Sequence, residues 1–165
     1  MRARADLVEH IPRLRRYARA LTRDPAQADD LVQDTLERGL RKLDLWRPDG
    51  DLRAWLFTLM HNLFINTIRA GKAECGSLAD APDIPVAGGQ MGALGLRDIE
   101  TALAALPDEQ REVILLIGLE QFSYTEAAQI LGVPVGTVMS RLSRARERLR
   151  ERLDDSPAVQ LRRVK

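Results

Sequence analysis

Apolar residues recur every three or four positions along most of this chain, a spacing that places them on one face of an α-helix. No segment alternates apolar and polar residues for long enough to predict a strand. The pattern predicts helices over about 5–21, from about 25, over about 52–72, on both sides of Pro107, over about 123–131 and from about 135. We therefore expect an all-α fold.

Proline and glycine divide these helices into two groups. Two prolines and four glycines fall between 73 and 94 among small residues, a composition typical of a linker. The sequence predicts a helical domain over 1–72, a flexible linker over 73–95, a second helical domain over 96–153 and a C-terminal tail over 154–165. Each domain is small and needs well-packed helices to fold.

Local signals predict where several helices begin and end. Asp24 is a predicted N-cap, with Pro25 at the first helical position and Gln27 at capping-box spacing. Ser123 and Glu126 have the same spacing, and Gly132 suits the left-handed residue that ends a helix. A short helix, a glycine turn and a second helix form the pattern of a helix-turn-helix.

Two helices carry unusual outward stripes. The second helix has a largely acidic one, which is either a solvated face or a docking face for a partner. The third helix combines a ring, amides and a guanidinium, which suit single-stranded nucleic acid. The alternative is a structural role for this stripe, with the Trp55 indole packed under the preceding loop and the asparagine amides bonded locally. The acidic stripe is Asp30, Gln33, Asp34 and Glu37, and the other is Trp55, Thr58, Asn62, Asn66 and Arg69.

The last predicted helix separates an apolar face from a polar one. Recognition helices enter the major groove with their N-terminal half, and Arg144 has the reach for a bidentate guanine contact. The flanking Arg141, Arg146 and Arg148 suit phosphate contacts or solvated charges, and a plain helical hairpin is the alternative. The inward residues are Val138, Leu142, Ala145 and Leu149, and the outward ones are Gly136, Thr137, Ser140, Ser143 and Arg144.

Composition narrows the function. The net charge is +1, yet six arginines fall between 141 and 152 against two glutamates, which favours contact with a polyanion. The chain has one cysteine and two histidines, so no zinc spacing or internal disulfide can be drawn, and we expect no cofactor or metal. No apolar run predicts a membrane span and no secretory signal is present, so we expect a cytoplasmic protein. No nucleophile with a base and no phosphate loop is found, which argues against an enzyme.

Three segments in order resemble bacterial sigma factors of the extracytoplasmic-function group in the sigma-70 family. "ADDLVQDTLERGLRKL" resembles the core-binding helix of region two, and "LRAWLFTLMHNLFINTIRA" the helix that reads the minus-ten element. "LPDEQREVILLIGLEQFSYTEAAQILGVPVGTVMSRLSRARERL" resembles region four. The resemblance implies a sigma factor that binds core RNA polymerase and promoter DNA, and that an anti-sigma factor holds inactive.

The resemblance also implies roles for the stripes. Core polymerase would be bound by Asp30, Gln33, Asp34 and Glu37 at the clamp helices of the largest subunit, and the second domain would meet the flap of the second subunit. Melted minus-ten bases would be held by Asp49, Gly50, Trp55, Asn62, Asn66 and Arg69. The minus-thirty-five duplex would be read by Gly136, Thr137, Ser140, Arg141 and Arg144.

The linker length agrees with this implication. About 22 residues at roughly 3.3–3.6 Å each reach some 70–80 Å, and two duplex turns span roughly 70 Å. Met139 and Asn66 depart from the usual pattern of lysine or arginine and of aspartate, which affects the expected promoter preference. The alternatives are a sigma-like decoy that sequesters an anti-sigma factor and a stand-alone helix-turn-helix repressor.

Overall fold

The computed structural model describes residues 2–46, 50–74 and 93–154, and within these ranges the chain contains helices and no strand. The predicted all-α fold is confirmed. Two groups of helices follow each other, which we call the N-terminal helices (α1–α3) and the C-terminal helices (α4–α7). The elements are α1 Arg2–Thr22, α2 Pro25–Lys42, a 3₁₀ turn Leu43–Leu45, α3 Leu52–Glu74, α4 Ala93–Ala104, α5 Asp108–Ile114 with a π-helical continuation Leu115–Leu119, α6 Tyr124–Leu131 and α7 Val135–Asp154.

The segment predicted to be a linker, 73–95, is shortened at both ends by helix. α3 continues to Glu74 and α4 begins at Ala93. Near the end of α3, Ala70 and Ala73 favour helix, so α3 extends past the boundary that the sequence indicated. The rest of the predicted linker and the tail beyond Asp154 lie outside the described residues, and so do 47–49.

The predicted helix starts at Asp24 and Ser123 are confirmed. Asp24 Oδ1 accepts hydrogen bonds from the backbone N–H groups of Ala26 at 2.8 Å and Gln27 at 3.3 Å. Asp51 caps α3 in the same way, accepting from Arg53 N–H at 2.8 Å, and this cap was not predicted from the sequence. The Ser123 capping box is described with the helix-turn-helix below. Each cap satisfies N–H groups that a helix leaves without internal partners.

The N-terminal helices pack around a core of large side chains. Leu14, Tyr17 and Leu21 of α1 are fully buried, as are Leu56 and Met60 of α3. A Cβ added to Gly39 of α2 would lie 3.2 Å from Leu56 Cδ2, so α2 and α3 approach closely there. Phe57 of α3 is also buried in this core, whereas Leu36 of α2 and Leu63 of α3 are only half-buried. On α7, the predicted inward residues Val138, Leu142 and Ala145 are buried and Leu149 is half-buried.

The two groups of helices share one continuous apolar core. Phe57 of α3 lies between Tyr17 of α1 and Phe122, which precedes α6, with ring centroids 5.0 and 5.1 Å away and edge-to-face geometry. Leu116 and Phe122 belong to the same buried cluster as Leu56 and Met60. The sequence reading treated the two groups as separate domains, whereas here the C-terminal helices pack directly on α1 and α3.

Arg111 of α5 joins both groups. Its buried guanidinium donates to the carbonyl oxygens of Leu103, Ala104 and Leu106 at the end of α4, and to Leu21 O at the end of α1, 3.1 Å away. It also pairs with Asp108 at 3.0 Å. Burial, and then the nearby charge of Arg23, lowers the pKa of Arg111 from its ordinary value. A cation is favoured at C-terminal helix ends, where the last backbone carbonyls have no partner within the helix.

Candidate polymerase and nucleic-acid interfaces

The acidic stripe of α2 is exposed along its whole length. All four predicted residues lie at the surface, on the side of α2 opposite its buried Leu31 and Val32. Glu37 forms an ion pair with Arg41, one turn further along the helix. Such a surface pair contributes little to stability. The stripe is therefore accessible to a basic partner surface. Its members are Asp30, Gln33, Asp34 and Glu37.

The third-helix stripe divides into a packed part and an open part. Trp55 is half-buried and packs against the core, so the structural alternative holds for part of its ring. Thr58 is half-buried and its hydroxyl donates to Ala54 O at 2.9 Å. Asn62, Asn66 and Arg69 are exposed, and so is Gly50; Asp49 lies outside the described residues.

The exposed amides of α3 are spaced along one side of the helix. Asn62 and Asn66 stand one helical turn apart on the same face. Trp55 precedes Asn62 by seven residues, or roughly 10 Å along the axis at 1.5 Å per residue. The indole is anchored by the core on one side, which fixes its orientation without closing off the amides further along α3.

The helix-turn-helix has the predicted local geometry. The hydroxyl of Ser123 accepts from Glu126 N–H at 3.2 Å while the Glu126 carboxylate accepts from Ser123 N–H at 2.7 Å. The hydrogen bond from Ser123 N–H to the carboxylate, followed by an interaction with the Ser123 hydroxyl, lowers the pKa of Glu126. Gly132 has φ +64° and ends α6, and Val133 N–H donates back to Ala128 O at 3.1 Å. These backbone hydrogen bonds end α6 and hold the turn that leads into α7.

The outward face of α7 is open near the helix start. Gly136, Ser140 and Arg144 are exposed and Thr137 is half-buried, while Val138, Leu142 and Ala145 are buried beneath them. A Cβ on Gly136 would meet no heavy atom within 4 Å, so the absence of a side chain leaves room for an outside molecule rather than for this chain. The outward face of α7 near its start is therefore free of contacts from the rest of the described chain around Gly136.

Arg141 is placed differently from the other predicted reading residues. It is half-buried and its guanidinium lies 3.2 Å from the carboxylate of Glu109 on α5. Here it connects α7 to α5, and it would have to exchange this partner for DNA. Met139 is 53% exposed beside the reading face and, with Tyr124 and Arg146, lines an open depression of about 340 Å³.

Sequence reasoning missed a set of buried charges between the two groups of helices. Glu120 follows the π-helical continuation of α5; its side chain is 0% exposed and its Oε1 lies 2.7 Å from Arg16 Nη2 of α1. Glu112 of α5 is 2% exposed and its Oε1 lies 2.7 Å from Nδ1 of His61 on α3. Burial raises the pKa of Glu112, and its hydrogen bond with His61 partly opposes that rise.

A cation–ring contact completes this boundary. The Arg53 guanidinium of α3 lies 3.9 Å from the centroid of Phe122. We call the set of Arg16, Arg53 and His61 against Glu112, Glu120 and Phe122 the inter-bundle interface. The sequence signal that could have indicated it is the presence of two glutamates inside the apolar stretch from 112 to 122.

The described ranges were also compared with the requirements of a membrane span and of a metal site. No helix in the described ranges is long and apolar enough to cross a membrane. Across the same ranges, no group of three or more histidine, cysteine, aspartate or glutamate side chains is arranged to hold a metal ion.

Comparisons with known proteins agree with this geometry. Residues 7–61 match the family model described as the Sigma2 domain of PhyR, and residues 96–149 match the model Sigma-70, region 4. The chain is 41% identical over 150 residues to the ECF RNA polymerase sigma factor EcfG of Rhodopseudomonas palustris (strain TIE-1), covering 88% of this chain and 82% of that protein.

Two solved structures have the same fold. The sigma factor RpoE of Bartonella quintana, in complex with the anti-sigma factor NepR, matches with 39% identity and a TM-score of 0.80, over 92% of this chain and 96% of that one. CnrH, in complex with the cytosolic domain of CnrY, matches with 32% identity and a TM-score of 0.70, over 94% and 90%. The chain therefore belongs to the ECF group of RNA polymerase sigma factors.

Proposed function

We propose that this sigma factor binds core RNA polymerase and directs initiation at promoters with two elements, reading one as duplex and the other as melted bases. The observation that carries the proposal is the placement of three exposed stripes on three helices, α2, α3 and α7. Each stripe has the chemistry of a different target: carboxylates, a ring with amides, and small polar residues with an arginine.

At the minus-ten element, capture of an extruded base would drive melting. Unstacking a base costs a few kcal/mol, and a site that accepts a base only after it leaves the stack offsets that cost. Trp55 supplies a ring held in place by the core, and Asn62 and Asn66 supply donors and acceptors for base edges. Arg69 lies further along the helix, where it would meet the phosphate backbone. Strand opening would then require no nucleotide hydrolysis.

At the minus-thirty-five element, α7 would enter the major groove. Gly136 and Ser140 allow close approach, and Arg144 would contact a guanine through both of its terminal nitrogens. Thr137 and Arg141 would contact the groove edge or backbone, Arg141 after release from Glu109. Arg146 and Arg148 would contact phosphates and set affinity more than sequence preference.

The α2 stripe would dock on the clamp helices of the largest polymerase subunit, and the C-terminal helices on the flap of the second subunit. Carboxylates at 30, 34 and 37 with an amide at 33 suit a basic surface. We further propose an anti-sigma factor as the regulatory partner, because the Bartonella quintana relative is in complex with one.

A decoy that sequesters an anti-sigma factor is the second candidate. It is favoured by the description of the model that matches residues 7–61, which names the Sigma2 domain of PhyR. A decoy has no need of a DNA-reading surface, so exposed Asn62, Asn66, Ser140 and Arg144 argue for the sigma factor.

The deciding experiment is transcription with purified components. The protein plus core polymerase should start RNA synthesis from a subset of fragments in a genomic library, at start sites that share two elements about two duplex turns apart. Core polymerase alone is the control. A protein that binds core polymerase but yields no transcript across the library would support the decoy.

A further inference from the structure

A large apolar side chain lies on the outward half of α7 among polar and charged neighbours. Met139 is 53% exposed, the residues Ser140 and Ser143 on the same half of the helix are exposed, and so is Arg144. A single exposed apolar residue is common on protein surfaces. Met139 therefore indicates a contact only if the residues around it suit the same ligand.

The residues around Met139 extend the apolar surface toward α6. Val135 lies one helical turn before Met139 on the same side of α7 and is 38% exposed. Tyr124, the first residue of α6, is 37% exposed and lines the same depression as Met139. We call Tyr124, Val135 and Met139 the apolar strip. Arg141, which pairs with Glu109 of α5, lies on the opposite side of Ser140, so the strip faces away from that ion pair.

Cationic side chains border the apolar strip. Arg146 and Arg150, one helical turn apart on α7, line the depression together with Met139 and Tyr124, and Glu147 is the acidic residue of that lining. Apolar surface bordered by guanidinium groups suits the major groove of a duplex, where phosphates lie on either side of the base edges. The charge of this border therefore favours duplex DNA as the occupant of the strip.

The chemistry of methionine restricts what Met139 can recognise. The thioether has no charge and no N–H or O–H donor, so it neither neutralises a phosphate nor donates to a base edge. Its unbranched, flexible side chain adapts to an irregular apolar surface. In the major groove, the C5-methyl group of thymine is the apolar group among the hydrogen-bond donors and acceptors of the base pairs. Contact between the two removes apolar surface from water.

We propose that Met139 is a specificity-determining residue that contacts the C5-methyl group of a thymine in the minus-thirty-five duplex. This rests on the proposed function. Met139 and Arg144 are five residues apart, or roughly 7.5 Å along the helix axis at 1.5 Å per residue, and successive bases of a strand rise about 3.4 Å. The thymine therefore lies within about three base pairs of the guanine that Arg144 reads.

Deoxyuridine tests the contact, because replacing thymine by uracil removes the C5-methyl group and keeps the pairing with adenine. The full-length protein is reconstituted with core polymerase, and the Kd of the holoenzyme is measured for synthetic fragments of a promoter that it transcribes. Each thymine of the minus-thirty-five element is replaced in turn, on either strand. One replacement should weaken binding about three- to fivefold, the effect of removing one buried methyl group.

Variants of the protein assign the effect to residue 139. Met139→Gln is close in size but polar, and should bind the thymine and uracil fragments within about 1.5-fold of each other. Met139→Leu keeps an apolar side chain and should retain the wild-type ratio of the two Kd values. Leu96→Gln is the matched control, since it removes a side chain of α4 that is 64% exposed, and should also retain that ratio. Far-UV circular dichroism establishes that the helices are retained.

The proposal is overturned by a minus-thirty-five element with no thymine within three base pairs of the guanine, or by wild-type binding that no replacement weakens. An equal loss in wild type and Met139→Gln also overturns it, because the methyl group would then act through the shape of the duplex. So does a ratio that falls as far in Met139→Leu or Leu96→Gln as in Met139→Gln. If the protein yields no transcript with core polymerase, the proposed function fails and the thymine contact with it. If it transcribes and the ratios do not depend on residue 139, the assignment of Met139 alone fails.

Discussion

Helices α5 and α7 use the same residue types in opposite ways. α5 has seven residues and buries Gln110, Arg111 and Glu112, whereas α7 leaves Arg144 and most of its other arginines exposed. On α5 the two buried ionisable groups, Arg111 and Glu112, have partners from distant parts of the chain, at the end of α1 and on α3. On α7 the exposed charges are available to a partner outside the chain. A charged residue therefore indicates a binding surface only when it is not already paired with another part of the chain.

The largest effect should follow from removing the buried charge of α5. Arg111→Met removes one hydrogen bond from each of four backbone carbonyls and the ion pair with Asp108, which should lower the free energy of unfolding by about 3–5 kcal/mol. Urea denaturation measures the loss. Arg148→Met on α7 is the control, and an exposed site of that kind should change stability by about 0.5 kcal/mol or less. Equal losses of stability in Arg111→Met and Arg148→Met would show that the buried arginine of α5 contributes no more than an exposed arginine of α7.

The next effect concerns recognition rather than stability. Arg144→Ala should reduce discrimination between the preferred minus-thirty-five duplex and one with a changed guanine by about 1–3 kcal/mol, with unfolding unaffected. Fluorescence anisotropy on both duplexes measures this. Arg148→Ala is the comparison: loss of a phosphate contact should weaken binding to both duplexes alike. Unchanged discrimination in Arg144→Ala would remove that residue from the reading face.

Sequence reasoning succeeded where the determining signals are local. The caps at Asp24 and Ser123 and the left-handed Gly132 depend on neighbours within a few residues, and all are observed. Helical periodicity likewise predicted the exposed sides of α2 and α7, because each core lies on the opposite face of the same helix. Trp55 shows the limit, since its ring is neither wholly packed nor wholly free.

The inter-bundle interface could not be predicted because its partners are far apart in the sequence. Arg16 and Glu120 lie 104 positions apart, and His61 and Glu112 lie 51 apart. No periodicity links residues at such separations, and a linker composition between the two groups favours independence. The sequence does contain two glutamates within an apolar stretch, and glutamate is rarely buried without a partner. In the structure each of the two has a partner on α1 or α3.

A smaller effect is expected on the α2 stripe. Asp34→Arg should weaken binding to core polymerase roughly tenfold, about 1.4 kcal/mol, because it replaces attraction to a basic surface with repulsion. Surface immobilisation of core polymerase and titration of the protein gives the Kd. Asp29→Arg makes the same charge change on an exposed position of α2 outside the stripe and should leave the Kd near wild type. Equal weakening by both would indicate a general charge effect without a docking stripe.

The smallest effect is the pH dependence of stability that Glu112 contributes. Its pKa is raised above the ordinary value of 4.5, chiefly by burial. As the pH rises, the unfolded chain therefore releases this proton before the folded chain does, and the contribution of Glu112 to stability falls. The contribution is complete below pH 4.5 and is lost as the pH passes through the raised pKa, with a slope of at most about 1.4 kcal/mol per pH unit.

Glu112→Gln isolates this contribution because glutamine does not titrate. His61, Asp108 and Arg141 also act on the Glu112 carboxyl, and they remain in the variant. Relative to wild type, the variant should gain stability steadily from pH 4.5 toward neutrality, as measured by urea denaturation at each pH. If stability changed with pH in parallel in the two proteins, the hydrogen bond with His61 would fully offset the effect of burial on the pKa of Glu112. Ionisation of Glu112 would then not lower the free energy of unfolding, and burial of this group on α5 would have no measurable effect on the pH dependence of stability.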